Sequence, residues 1–140
     1  MRASCLGLLA RREHSQRELF QKLTSKGYDE DDISRLLEEF VDLNWQSDQR
    51  FAESYGRSRV HKGFGPIRIQ YELKERGVDT SINNVFEEQP DWQTLLVELH
   101  IKKYGEQSPV DIKERAKRTR FFQHKGFTHD MIKQLFDQLS

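Results

Sequence analysis

Three times along this chain a basic residue, a glycine and an apolar residue stand together: Lys26-Gly27-Tyr28, Arg76-Gly77-Val78 and Lys125-Gly126-Phe127. Four residues before each glycine lies Leu23, Leu73 or Phe122, and after each come apolar residues at i, i+3 and i+4: Ile33-Leu36-Leu37, Ile82-Val85-Phe86 and Ile132-Leu135-Phe136. Glycine takes left-handed backbone freely, so a glycine just past an amphipathic stretch closes a helix. The pattern spells helix, corner, helix, and a further helical stretch precedes each copy. The glycines are 50 and 49 residues apart. Units of this period stack, because one unit cannot bury its apolar face alone. The expected fold is all-α: three tandem three-helix repeats in one continuous domain, an elongated, curved solenoid body of right-handed type. The repeats are expected at 1–45, 46–89 and 90–140.

The local signals predict nine helical segments and no strand. The first puts Leu6, Leu9 and Ala10 on its apolar side. Ser15 and Glu18 have the spacing of a capping box, in which each side chain satisfies the other's free backbone amide. Asp29 to Asp32 place negative charge at the positive end of the next helix. Ser47-Asp48 opens a helix with Phe51, Ala52 and Tyr55 inward. Gly65-Pro66 opens another, since proline in the first turn has no amide hydrogen to lose. Asp79 or Thr80 is expected to cap a short helix carrying Ile82, Val85 and Phe86. In the third repeat, Trp92, Leu95, Leu96 and Leu99 mark one helix. Ser108-Pro109 is read as the start of the next, with Ile112, Ala116, Phe121 and Phe122 as its apolar residues, and Thr128 as the cap of the last. Arg118 and Thr119 stand where the first repeat has Leu19 and Phe20, so this middle helix is expected to be the least buried of the three.

The chain offers little to catalysis. No glycine-rich phosphate loop is present, and Gly63-Phe64-Gly65 reads as a helix stop followed by a cap. His14, His61, His100, His124 and His129 show no i, i+4 pair, and one cysteine cannot build a thiolate metal site. The histidines are expected on exposed or half-exposed helix positions, and Cys5 as a small apolar filler. No cofactor and no metal are expected. A single cysteine suits a reducing compartment, and no run has the length of a membrane span, so the expectation is a soluble, cytoplasmic chain.

Charge is distributed unevenly beneath a formal net charge of +0. From residue 27 to 53 nine acidic residues face two arginines. Six basic residues face two glutamates from 54 to 77, and six face two acidic residues from 111 to 126. Lys113, Lys117, Arg120 and His124 recur at i, i+4, i+7 and i+11, one side of one helix with no acidic residue in the stripe. Such a stripe suits phosphates or acidic protein surface. In the middle repeat Arg68 has Glu72 four residues on, whereas Arg57, Arg59 and Lys62 are expected to lack a local partner and to be free for binding.

The segments LARREHSQRELFQKLTSKGY, DQRFAESYGRSRVHKGFGPIRIQYELKERGV and RTRFFQHKGF together closely resemble the RecX family of bacterial recombination regulators. The middle segment is the most specific: Phe51-Ala52, Tyr55, Arg57, Arg59, Lys62-Gly63-Phe64-Gly65-Pro66, Arg68-Ile69 and Leu73 to Gly77. The resemblance covers essentially the whole chain, except that many relatives carry extra residues before the first helix. It implies a non-enzymatic protein of three tandem three-helix repeats that binds the RecA recombinase filament and restrains its assembly, ATP hydrolysis and strand exchange in DNA repair and recombination. Partner contact is then expected from Arg57, Arg59, Lys62, Arg68, Lys113, Lys117, Arg120 and His124, with weak direct contact to DNA and a monomeric state. A helix, corner and helix also resembles a helix-turn-helix, which keeps a stand-alone DNA-binding module as the alternative. Against base-specific reading, only Ser81, Asn83 and Asn84 are polar candidates after the middle corner.

Overall fold

The computed structural model describes residues 1–139, and among them every regular element is helical. Repeat 1 comprises α1 (Arg2–Arg11), α2 (Gln16–Ser25) and α3 (Glu30–Asp42). Repeat 2 comprises α4 (Asp48–His61), α5 (Pro66–Glu75) and a 3-10 turn (Ile82–Asn84). Repeat 3 comprises α6 (Trp92–Tyr104), α7 (Ile112–Lys125) and α8 (His129–Leu139). Each repeat closes on its own apolar cluster. Cys5, Leu19, Leu23, Ile33, Leu37 and Phe40 fill the first. Phe51, Ala52, Ile69, Leu73, Val85 and Phe86 fill the second, and Leu96, Phe122, Phe127, Ile132, Leu135 and Phe136 the third. Trp92 packs against both the second and the third.

The three corners share one hydrogen-bond pattern. Tyr28 N donates to Leu23 O (3.3 Å), Val78 N to Leu73 O (2.9 Å) and Phe127 N to Phe122 O (3.1 Å), with Gly27, Gly77 and Gly126 at φ +92, +86 and +105. This is the Schellman closure, and it explains the recurring spacing. The residue four before the glycine supplies the accepting carbonyl, and the residue after it supplies the amide. The capping box of Ser15 and Glu18 is formed in both directions. Asp29 caps α3, and Ser47 and Thr128 accept from Arg50 N and Met131 N.

Five expectations are corrected. First, the helix after Gly77 is only the 3-10 turn, capped by Ser81 rather than Asp79 or Thr80. The carbonyls that a continuing α-helix would use are taken by side chains: Gln89 Nε2 donates to Ile82 O (3.2 Å) and Asn83 O (2.7 Å), Gln49 Nε2 to Asn84 O (3.0 Å) and Val85 O (3.1 Å). Second, α7 starts at Ile112, capped by Asp111, which accepts from Glu114 N (2.8 Å). An aspartate there binds the first-turn amide more strongly than a serine three residues earlier would, because it is charged. Ile112 is thereby left 87% exposed, and Ala116 is exposed too. Third, Arg118, counted among the basic residues of 111–126, does not belong to that surface: it is only 8% exposed. It donates from Nε to Glu114 Oε1 (3.1 Å) and from Nη1 to Gln107 O (2.9 Å), so its charge is met on several sides. Fourth, His14 and His100 are buried at 1% and 0% exposure. Fifth, Cys5, Leu8 and Leu9, not Leu6 and Ala10, form the inward face of α1. Arg2 draws that helix round, pairing bidentately with Glu39 (2.8 and 2.9 Å) and lying over Phe40 and Trp45.

The repeats meet through helix ends. The last carbonyls of α7 face the first amides of α5: Gly65 N donates to Lys125 O (2.8 Å) and Ile67 N to Gly126 O (3.0 Å). Arg68 Nη1 takes His124 O (3.1 Å). Both helix ends carry unpaired backbone groups, and each supplies what the other lacks. The approach requires glycine on both sides. A Cβ on Gly65 would lie 2.6 Å from the carbonyl carbon of Gly126, and one on Gly126 2.4 Å from Arg68 Cβ. A second joint of the same sense links α5 to α2, where Ser15 Oγ donates to Arg76 O (2.7 Å). The middle helices thus follow one another end to end in the order α7, α5, α2.

Candidate functional site

The joint between α7 and α5 assembles an aromatic and basic cluster from residues far apart in sequence. The Phe64 ring, placed by the turn between α4 and α5, has Arg59 Cζ 3.8 Å, Arg68 Cζ 4.4 Å and Lys125 Nζ 4.5 Å from its centroid. A ring face attracts cations through its quadrupole. Lys103 Nζ stands 4.2 Å from the neighbouring Phe121 ring. Beneath Phe64, Glu72 collects the positive charge. It accepts bidentately from Arg59 (2.8 and 2.9 Å), from Arg68 Nε (3.3 Å) and from Tyr55 Oη (3.1 Å). Burial pushes the Glu72 carboxyl up, but the Arg59 and Arg68 guanidiniums outweigh it and hold the group below the usual carboxylate range.

This geometry divides the eight candidate residues. Arg59 is not free, as the sequence suggested, but locked between Glu72 and Phe64. Arg57 is paired too, with Glu53 one turn earlier, although its side chain stays 66% exposed. The i, i+4 spacing of Glu53 and Arg57 was visible in the sequence. The partner of Arg59 lies thirteen residues away on another helix and was not. Arg68 pairs with Glu72 as its spacing implies and also reaches across to repeat 3. Lys62 is exposed, as are Lys113, Lys117, Arg120 and His124 along α7. None of Lys62, Lys113, Lys117 and Arg120 forms an ion pair among the described residues. The stripe is therefore an uncompensated basic surface that ends, at His124, beside α5.

Two buried histidines were missed, and they share one arrangement. His14 Nδ1 donates to Arg12 O (3.1 Å) while Nε2 accepts from Lys22 Nζ (3.0 Å). His100 Nδ1 donates to Gly105 O (2.9 Å) while Nε2 accepts from Arg118 Nη1 (3.0 Å). A carbonyl can only accept and a cation only donate, so each ring is neutral with its proton on Nδ1. Burial pushes both imidazoles below their ordinary value, and the adjacent cation adds to it. Among the described residues no group of three or more His, Cys, Asp or Glu is placed to hold a metal, and no helix is long and apolar enough to cross a membrane.

Three tandem repeats with a basic outer stripe and an internally neutralised arginine cluster define a helical-repeat protein. Comparison with known proteins gives the family. Three family models match in order: RecX, first three-helix domain, at residues 2–40; second, at 47–82; third, at 90–136. The chain belongs to the RecX family. It is 37% identical to the regulatory protein RecX of Legionella pneumophila over 97% of this chain and 92% of that one. It is 39% identical to that of Acinetobacter baylyi over 94% and 83%. The crystal structure of RecX from Lactobacillus salivarius superposes with a TM-score of 0.76 at 25% identity, covering 99% of this chain and 93% of that one.

Proposed function

We propose that this chain is a non-enzymatic regulator that binds the RecA recombinase on DNA and restrains filament assembly, ATP hydrolysis and strand exchange, within DNA repair and recombination in the bacterial cytoplasm. The observation that carries the reading is the uncompensated stripe Lys113, Lys117, Arg120 and His124 in a protein of the RecX family, whose relatives are regulatory proteins by name. An elongated repeat body offers a long face to a polymeric partner. In this reading Lys62, Arg57 and the α7 stripe make contact. Arg59 and Arg68 act indirectly, by holding Phe64 and the α5–α7 joint. The protein works as a monomer with no cofactor.

The deciding experiment is RecA ATPase on single-stranded DNA with increasing amounts of this protein. Suppression at substoichiometric ratios is expected, and no effect at any ratio with a matched RecA overturns the reading. The second reading, a stand-alone module making phosphate contacts, is favoured by the same stripe. It predicts that inhibition falls steeply with salt in step with free-DNA binding, because released counterions drive such contacts.

A further inference from the structure

We propose that Ile67 and Tyr71 on α5 form the apolar anchor by which this chain docks on its protein partner, at an acidic-rimmed apolar surface that also meets the basic stripe of α7. The inference rests on the recombinase reading above and names the contact that reading lacks. Helix α5 has two apolar sides. Ile69 and Leu73 point into the core of repeat 2 and are fully buried. Ile67 and Tyr71, also one turn apart, are 56% and 64% exposed. Single exposed apolar residues are ordinary on any surface. An aliphatic and an aromatic residue stacked on one helix face at the end of a basic stripe have instead the composition of a protein-binding hot spot.

Their position joins them to the stripe. Because Ile67 N donates to Gly126 O, the first turn of α5 sits against the last turn of α7. Ile67 and Tyr71 line one open cleft with Gln123 and His124, and His124 is the last member of the stripe. Lys113, Lys117, Arg120 and His124 therefore lead directly to the apolar pair, although more than forty residues separate the two in sequence. The occupant favoured is protein rather than nucleic acid. Ile67 has nothing to offer a phosphate or a base edge. The same cleft is lined by Arg68 and Glu72, which neutralise one another, and by Glu75, so beside Tyr71 it offers no surplus of positive charge to a phosphate backbone. An acidic-rimmed apolar patch can seat its apolar centre on Ile67 and Tyr71 while its carboxylates meet α7.

The test compares wild type with Ile67→Ala/Tyr71→Ala and with Lys117→Ala/Arg120→Ala. Half-inhibition of RecA ATPase and binding of labelled single-stranded DNA without RecA are both measured, and circular dichroism reports folding. Both pairs of residues are exposed, so the variants are expected to melt as wild type does. The apolar double variant is expected to need roughly tenfold more protein for half-inhibition, with free-DNA affinity unchanged and the loss insensitive to salt. The basic double variant is expected to lose inhibition mainly at low salt, its deficit against wild type shrinking as salt screens the stripe. Wild-type inhibition matched by the Ile67/Tyr71 variant overturns the inference and leaves the functional reading standing. A parallel loss of free-DNA binding overturns it in favour of a nucleic-acid site. Absence of inhibition by wild type overturns both.

Discussion

Glu72 gathers Arg59, Arg68 and Tyr55 onto one half-buried carboxylate, and the arginines around it are better read by their partners than by their charge. Arg59→Ala would leave Glu72 short of its bidentate partner and strip Phe64 of its nearest cation. Charge-assisted bonds at a half-buried site are worth about 1–3 kcal/mol, so urea unfolding should show a loss of that order. Arg57→Ala removes an exposed pair and should cost less than about 1 kcal/mol. Equal losses would mean that Arg59 is not the structural member. The buried histidines make a second prediction. Their folded values lie below the unfolded value of about 6.5, so the unfolded chain takes up protons first on acidification. Stability from this source is full above about 6.5 and is lost as the pH falls from there toward the folded values. The urea midpoint should drop as the pH falls below about 6.5, and His100→Gln should flatten that drop by removing one of the two groups. A wild-type midpoint constant over this range contradicts the neutral assignment of His14 and His100. Neither feature was legible in sequence. A histidine and its cation eight or eighteen residues apart have no helical register to announce them, whereas Glu53–Arg57 and Arg68–Glu72 do.

At the scale of elements, the three corners are one device used with different neighbours. The fold class, the Schellman glycines and most caps were readable because each depends on residues within a few positions of one another. The short element after Gly77 and the start of α7 were misread, because their outcome depended on Gln49, Gln89 and Asp111 acting as competing caps. The neighbours of each glycine were also invisible, and they change what substitution should do. Gly27 sits at φ +92 with nothing within 4 Å of an added Cβ, so Gly27→Ala should cost only the left-handed backbone penalty, about 1–2 kcal/mol. Gly126 sits at φ +105 and faces Arg68 at 2.4 Å, so Gly126→Ala pays that penalty and also displaces α5. Urea unfolding of the two variants should rank Gly126→Ala clearly below Gly27→Ala. Similar stabilities would show that the α5–α7 joint yields without resistance.

For the whole molecule, three separate cores joined by helix ends imply a stability built from repeats and the couplings between them. The coupling of repeats 2 and 3 can be struck alone at Gly65. Its φ of −93 suits any residue, so alanine there brings no backbone strain and acts only through the 2.6 Å approach to Gly126. The chain's two tryptophans supply separate reporters. Trp45 lies edge-on to Phe40 in repeat 1, and Trp92 packs against Phe86 while touching the cores of repeats 2 and 3. In single-tryptophan variants of the wild-type background, the two fluorescence transitions in urea should coincide if the couplings hold the repeats in one cooperative unit. In Gly65→Ala the Trp92 transition should move to lower urea while the Trp45 transition moves less, because repeat 1 keeps its own joint to α5 through Ser15 and Arg76. On the proposed function, inhibition of the recombinase should fall in the same variant, since the joint also aligns the stripe of α7 with Ile67 and Tyr71. If both tryptophans shift together by the same amount, the cooperativity does not run through the α5–α7 joint, and repeats 2 and 3 are coupled instead by the side-chain packing of Trp92 against both of their cores.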